Sequence, residues 1–402
     1  MLEGLQKLRL LVLNKLLTTR AKIVVSLIIS SFVFVIIGVI ANLPQGNIFK
    51  LEGNLDAVEG SEYVLAKVVG ELNKDCVGIP QSPEANQVVT CEIYEANYES
   101  SQGIQTTIEF EFDSTNTNYK LSEGSKVQLL RIPANEYDSE VFLFMDVDRT
   151  GLLIIVALIF SIITLIIGKL RGLGAIVGLI STFFVLLTFL LPSLLEGKDP
   201  LTIAVISSCG LVLFLLYIAH GISIRTSVAV LGTLFGIILT AILSTIVISF
   251  GNFSGISSDD DFLLSGVTAI RLDGLLLAGI IFASVGVLND VTVTQASSVW
   301  EIKNSNPKLS IFELFRSGMR IGRDHIASTV YTLLFTYTGA ALPTLLLIFI
   351  SDRPTQFILS SEAISQEIVR TLVGSIGLVL AVPITTILAA VLAEKSNHKF
   401  EH

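Results

Sequence analysis

Residues Leu275–Glu301 read LLLAGIIFASVGVLNDVTVTQASSVWE. The purely apolar part, Gly274–Leu288, is 15 residues long. At a helical rise of about 1.5 Å per residue it covers roughly 22 Å, which falls short of a hydrocarbon core about 30 Å thick. A helix that crosses a bilayer here must therefore carry Asn289 and Asp290 into it, with Asp290 about 24 Å from the edge where the helix begins. A start nearer Gly266 would move that site and bring Arg271 and Asp273 into the membrane as well. An ionised Asp at a helix centre costs about 2.5–3.5 kcal/mol, and less toward an interface. Asp290 thus needs a partner or water. Asp290, Thr294, Ser297 and Glu301 follow steps of 4, 3 and 4 and share one helix face, with Gln295 and Ser298 beside them. The expectation is a polar ridge turned into a bundle or an aqueous cavity. The bland alternative is a helix end emerging into solvent, which accounts well for Ser298, Trp300 and Glu301.

Working outward, the whole chain has this texture. Its 402 residues are 51% hydrophobic and only 15% charged, with a mean hydropathy of +0.74. These values exclude an ordinary soluble protein and a disordered chain. Three cysteines exclude a disulfide-dense scaffold, and 26 Lys+Arg against 35 Asp+Glu exclude a basic nucleic-acid binder. The negative charge is concentrated. Residues 50–149 hold 19 acidic against 7 basic residues, a balance of −12, and the other 302 residues sum to +3.

Eight stretches approach the length needed to span a membrane. They are Ile23–Ala41, Gly151–Gly168, Gly172–Leu191, Leu201–Ala219, Ser227–Phe250, one beginning at Gly274, Ile326–Ile350 and Ile368–Ala393. For the first, a cleaved signal peptide is the rival to an anchor. An apolar core of about 19 residues and the poor cleavage site Val39-Ile40-Ala41 favour the anchor. Cations accumulate on the cytoplasmic side. With the N-terminus inside, 15 Lys and Arg fall on inner segments, among them Lys7, Arg20, Lys169, Arg225, Arg316 and Lys395. The outer connections of the last seven spans carry only Lys198, Arg271, Arg353 and Arg370. Both termini are expected in the cytoplasm, as a basic segment 1–22 and a tail 395–402. The first helix is 23–43, the insert 50–149 lies outside, and a seven-helix body covers 151–394.

The insert reads as strands. Glu62–Val69, Gln87–Tyr94, Gln105–Phe112, Lys126–Ile132 and Glu140–Val147 are rich in Val, Ile, Tyr, Phe and Thr between Gly, Pro, Asn and Ser. A small barrel or sandwich is expected. Cys76 and Cys91 flank the Pro80–Pro83 loop on the oxidising side, so a disulfide is expected, against two unpaired thiols in a barrel core. Cys209 lies among small residues and reads as packing.

Helices in lipid pack through small residues. Gly174 and Gly178, and Gly232 and Gly236, form such pairs, while Thr329, Thr332, Thr336, Gly339 and Pro343 follow one face of the seventh span. At that span's inner end stand Arg323, Asp324 and His325, at about the depth of Asn289 and Asp290. His325 would be of interest as a proton carrier, because its ordinary pKa near 6.5 lets it change charge around neutral pH. Against this, Asp324 suits a helix start and Arg323 obeys the positive-inside rule. No metal-ligand spacing occurs, and no cofactor motif is evident.

The runs GVLNDVTVTQASSVWE, GRDHIASTVYTLLFTYTGAALP, ALIFSIITLIIGKLRGLGAIVGL and GSIGLVLAVPITTILAA together resemble the YibE/F-like family of bacterial multi-pass membrane proteins. The resemblance implies a permease-type protein of the cell membrane and no established activity. It also implies an Asp-Asp pair in related sequences where this chain has Asn289-Asp290, which makes Asp290 the stronger candidate.

Two functional expectations follow. The first is a secondary transporter or permease for a small solute or ion, with Asn289, Asp290, Thr294, Gln295, Arg323, Asp324 and His325 at a polar intramembrane site near the cytoplasmic side. The second is a non-transporting scaffold, sensor or envelope-assembly component whose outer β-domain binds a protein partner. No nucleophile has a base at a recognisable spacing, so an enzyme is not expected. Nor is there a phosphate-binding Gly-rich loop.

Overall fold

The computed structural model describes residues 19–44, 60–72, 91–99, 105–113, 121–134, 140–267, 270–351 and 354–393. The chain divides into two compact units, Gly53–Ile163 and the remainder, Met1–Glu52 with Thr164–His402.

The smaller unit is built on five strands: β1 (Glu62–Leu72), β2 (Cys91–Glu99), β3 (Gln105–Asp113), β4 (Lys126–Ile132) and β5 (Val141–Val147). They close into a barrel in the order β1-β2-β3-β5-β4. Every pairing is antiparallel except β3 with β5, which meet in parallel at Glu111 and Leu143. Of the two architectures expected, this is the barrel, with the strand order of a five-stranded Greek-key barrel of the OB type. The period-two pattern explains the closure. Ala66 and Val68, Tyr94, Ala96 and Tyr98, Ile108, Phe110 and Phe112, and Val127 and Leu129 all point inward and are buried. Small Ala66 and Ala96 leave room for the aromatic rings, and Phe112 meets Phe144 edge-on at 5.0 Å between centroids. Burial and the neighbouring Glu92 push the Tyr94 hydroxyl well above the usual tyrosine range. On the barrel surface Arg131 is ion-paired with Glu62 and Glu140. Cys76 lies outside the described residues, so the expected Cys76–Cys91 pairing does too.

The larger unit is helical. Its elements are α1 (Thr19–Ala41), α2 (Thr150–Val185, begun in the smaller unit), a π-helical turn (Leu186–Leu190), α3 (Leu191–Leu195), α4 (Pro200–His220), α5 (Ile224–Gly251), α6 (Asp259–Val267), α7 (Leu272–Ser305), α8 (Ile311–Ala340), α9 (Leu342–Phe349), α10 (Thr355–Leu359) and α11 (Glu362–Ala393). Among the described residues, six helices are long and apolar enough to cross a membrane, or seven if the pair α8 and α9, bent by 67°, counts as one. Eight spans were expected from hydropathy. The difference arises at α2, where two expected spans fall within one helical run of 46 residues, Thr150–Leu195, and, for the count of six, also at the expected span Ile326–Ile350, which falls on the bent pair. That run is not straight. Lys169 has φ 50° and ψ −130°, and a Cβ on Gly172 would lie 2.2 Å from the Thr164 carbonyl oxygen. A straight helix holds residues eight apart about 12 Å from each other, so the chain turns sharply there.

α7 is the central helix and packs on α4, α5, α8 and α11. Glycines set how close these helices come. A Cβ on Gly232 of α5 would lie 2.0 Å from Thr385 Oγ1 of α11, and one on Gly236 would lie 2.5 Å from Leu288 of α7. Gly174 meets the Ala219 backbone on α4 and Gly178 meets Leu215. These small-residue pairs are packing faces, as lipid-embedded helices require. The threonine stripe of α8 is different: Thr329 is buried, but Thr332, Thr336 and Gly339 are exposed. The hydroxyls of Thr332 and Thr336 donate to the carbonyls four residues earlier.

Candidate functional site

The polar end of α7 divides into two faces. Leu288, Val291, Thr292, Gln295, Ala296 and Val299 are buried, and Gln295 is 1% exposed. Its Nε2 donates to the Gly318 carbonyl on α8 at 2.9 Å and to Thr386 Oγ1 on α11 at 2.7 Å. Gly318 and Gly322, one turn apart, make the space. A Cβ on Gly322 would lie 3.1 Å from Gln295 Oε1 and 2.7 Å from Val382. One turn back along α7, Thr292 shares a 2.7 Å hydroxyl hydrogen bond with Thr233 of α5.

The other face of α7 is open. Asp290 is exposed, and its carboxylate has no ion pair or side-chain partner among the described residues. Its backbone carbonyl accepts the Thr294 hydroxyl at 2.8 Å. Thr294, Ser297, Ser298 and Glu301 line a groove of about 530 Å³ together with Ile321 of α8. The expected ridge therefore exists as a face, but it flanks a surface groove instead of the bundle centre. Arg323 and Asp324 are exposed, and His325 is half-buried with its backbone carbonyl accepting Ser328 and Thr329 hydroxyls. Neither Arg323 nor His325 forms an ion pair with Asp290.

Asn289 turns the other way, and its Oδ1 is buried without a partner. The same holds for Gln295 Oε1, Thr240 Oγ1, Ser244 Oγ and Ser375 Oγ. Thr240 and Ser244 lie on α5, Asn289 and Gln295 on α7, and Ser375 on α11. Gly377 of α11 lies close to Thr240, since a Cβ there would be 2.2 Å from its Oγ1. Each of the three helices thus carries buried polar atoms without a partner, as does α4 at Ser208. Buried polar groups in folded proteins almost always have partners, and water or a polar solute completes those that lack one. Thr240, Ser244, Ser375 and the pair Thr233–Thr292 were missed in the sequence, where hydroxyls in apolar helices read as packing.

The family model described as YibE/F-like protein matches residues 156–395, more than half of the chain. The chain belongs to the YibE/F-like family. The matched region of this YibE/F-like chain holds α4, α5, α7, α8 and α11, and with them these buried polar atoms and the groove. No curated protein matches the chain, and no solved structure matches it. The family and the apolar helices together mark a multi-pass membrane protein.

Proposed function

We propose that this YibE/F-like protein is a permease of the secondary-transporter type, carrying a small polar solute or ion through the interface of α5, α7 and α11. The observation that carries this reading is the set of buried, unpaired polar atoms on these three helices, at Thr240 and Ser244, Asn289 and Gln295, and Ser375. Polar side chains on lipid-embedded helices turn to partners on neighbouring helices or to water, and those without a partner are free to take water or a polar solute. Gln295 forms the narrow point, clasped by Gly318, Gly322 and Thr386. We read the topology as eight crossings, with the run broken at Lys169 and α8 with α9 as one bent span. The termini then lie in the cytoplasm and the barrel outside the cell membrane, in keeping with the distribution of Lys and Arg. Asp290, on the groove side, is a second polar station near the cytoplasmic side.

Cysteine accessibility tests the path. In a chain whose native cysteines are replaced, Thr240→Cys, Asn289→Cys and Ser375→Cys are expected to react with a membrane-impermeant thiol reagent. The lipid-facing controls Ile242→Cys and Ile376→Cys should stay inert. No reaction at any of the three polar positions from either side would overturn the permease reading.

One observation favours a second reading, a membrane scaffold whose barrel binds a partner. Tyr63, Leu130 and Leu143 are paired in one row across β1, β4 and β5, and Tyr63 and Leu143 are 64% and 45% exposed. Replacing Tyr63 and Leu143 with Ser should then abolish cellular function while leaving the accessibility pattern intact.

A further inference from the structure

A second cavity lies at the other end of α7, where the helix begins. Its volume is about 400 Å³, within the range of small-molecule sites. Leu186 and Leu190 from the π-helical turn, Leu276 and Phe282 from α7, and Leu194 of α3 form an apolar wall. The α7 lining runs from Leu272 to Ala283, about 16 Å along the helix. That is close to half of a hydrocarbon core about 30 Å thick, the depth of one leaflet. π-helical turns widen a helix and recur at functional sites, and here the turn opens the wall.

The polar end of this cavity is built from opposite charges. Arg370 of α11 lines it, and the guanidinium packs over the Tyr337 ring at 5.9 Å. Its Nη1 meets Glu367 at 3.2 Å, while its Nε is buried with no partner. Glu367 itself faces a separate cavity. Beside Arg370, Gln366 is 3% exposed and donates to Glu362 at 3.1 Å. Asp261 also lines the cavity. Its Oδ2 accepts from the backbone N–H and hydroxyl of both Ser257 and Ser258. Despite partial burial, those hydrogen bonds hold its carboxyl below the usual range, so it stays charged near neutral pH. Glu362 fixes the neighbouring loop by accepting Ser254 N at 2.7 Å and Gly255 N at 2.8 Å. The lining thus offers one cation with an unused donor, one anion, and an apolar limb of leaflet length.

We propose that this cavity binds one acyl chain of a zwitterionic phospholipid, with the phosphate on Arg370 and the headgroup ammonium at Asp261. An anionic head would leave Asp261 opposed, and a neutral one would leave the Arg370 donor unused. This site is separate from the proposed solute path, and its test does not depend on transport.

Binding of 16-carbon lysophosphatidylethanolamine to the full chain in neutral detergent is expected to saturate at one per chain. Arg370→Gln should weaken it about tenfold. Asp261→Asn should weaken lysophosphatidylethanolamine but not lysophosphatidylglycerol. Gly279 lines the apolar limb with open space around it, so Gly279→Phe should block both lipids without touching the charges. Monopalmitoyl glycerol should not compete. Native mass spectrometry from phosphatidylethanolamine nanodiscs separates the sources. A retained diacyl lipid, lost in Gly279→Phe, identifies the leaflet itself, whereas retention of added lysolipid alone identifies a single-chain ligand. Absence of saturable binding, or unchanged affinity in both Arg370→Gln and Gly279→Phe, would overturn the proposal. So would equal weakening of the two lysolipids by Asp261→Asn.

Discussion

Gln295 on α7 donates to the Thr386 hydroxyl on α11 at 2.7 Å, and the same nitrogen donates to Gly318 on α8, so one side chain joins three helices. Interhelical hydrogen bonds in lipid contribute about 0.6 kcal/mol on average and up to about 1.7. Gln295→Ala should therefore lower stability by about 1–2 kcal/mol, read by reversible unfolding in mixed detergent. Gly322→Ala forces a Cβ toward Gln295 and Val382, and its cost should shrink in the Gln295→Ala background. Strict additivity of the two would show that Gln295 does not occupy this space.

The contact of Gly232 with Thr385 is a purely steric counterpart. A Cβ at 232 would fall 2.0 Å from Thr385 Oγ1 but 3.1 Å from Thr385 Cβ. Gly232→Ala should destabilise by about 1–3 kcal/mol through overpacking. Adding Thr385→Ala, which deletes the nearer atom, should restore most of the loss. Thermal unfolding of the single and double variants decides the point.

At the exit of the barrel, the Asp148 carboxylate accepts the Thr150 N–H at 3.0 Å and the Thr150 hydroxyl at 2.5 Å, opening α2. Hydrogen bonds from the Thr150 side chain and backbone hold its carboxyl below the ordinary range, and the Arg149 side chain and the Val147 backbone do the same for Asp146. For a depressed carboxyl, stability is present above the unfolded-state pKa, about 3.9, and is lost as pH falls through the lower folded value. Hydrogen-exchange protection at Thr150–Ile154, corrected for intrinsic rates, should therefore hold at pH 5–7 and fall below about pH 4. Asp148→Ala should reduce it at pH 5–7 and flatten the pH dependence, so that variant and parent converge at low pH.

Asp290 makes a contrasting case. With no side-chain partner for its carboxylate, Asp290→Asn should change stability by less than about 0.5 kcal/mol, as for a surface substitution away from specific contacts. If Asp290 is a station for the transported ion, flux in proteoliposomes should fall sharply in the same variant. Unfolding and flux measured together separate a solute-handling group from a packing group, and full flux would remove Asp290 from any coupling role.

Hydropathy alone made the main helices and the separate acidic insert legible, because apolar length and charge are direct properties of the residues. The turn at Lys169 also coincides with the break between Gly168 and Gly172 seen in the sequence. Helix phase was harder. Asp290 and Gln295 are five positions apart, or about 140° around the axis, and the polar ridge was read from Asp290. The signal for the buried face was present: Gln295 is in phase with Leu288, Val291 and Val299, and Gly318 and Gly322 stand one turn apart to receive it. The π-helical turn left no trace in LLTFL, an apolar run that reads as continuous helix. Nor was the placing of Arg370 and Asp261 on one cavity legible, because more than a hundred residues separate them.

Closure of the β-barrel limits how it can meet other molecules. The antiparallel ladders are long, but β3 and β5 are joined at one registered pair, Glu111 and Leu143, so among the described residues the seam between these two strands is where unpaired main chain could take a visiting peptide as an additional strand. Elsewhere on the barrel, recognition must come from side chains on its walls. Docking on those walls should be sensitive to single side-chain exchanges, whereas docking at the seam should be sensitive to β-forming competitor peptides.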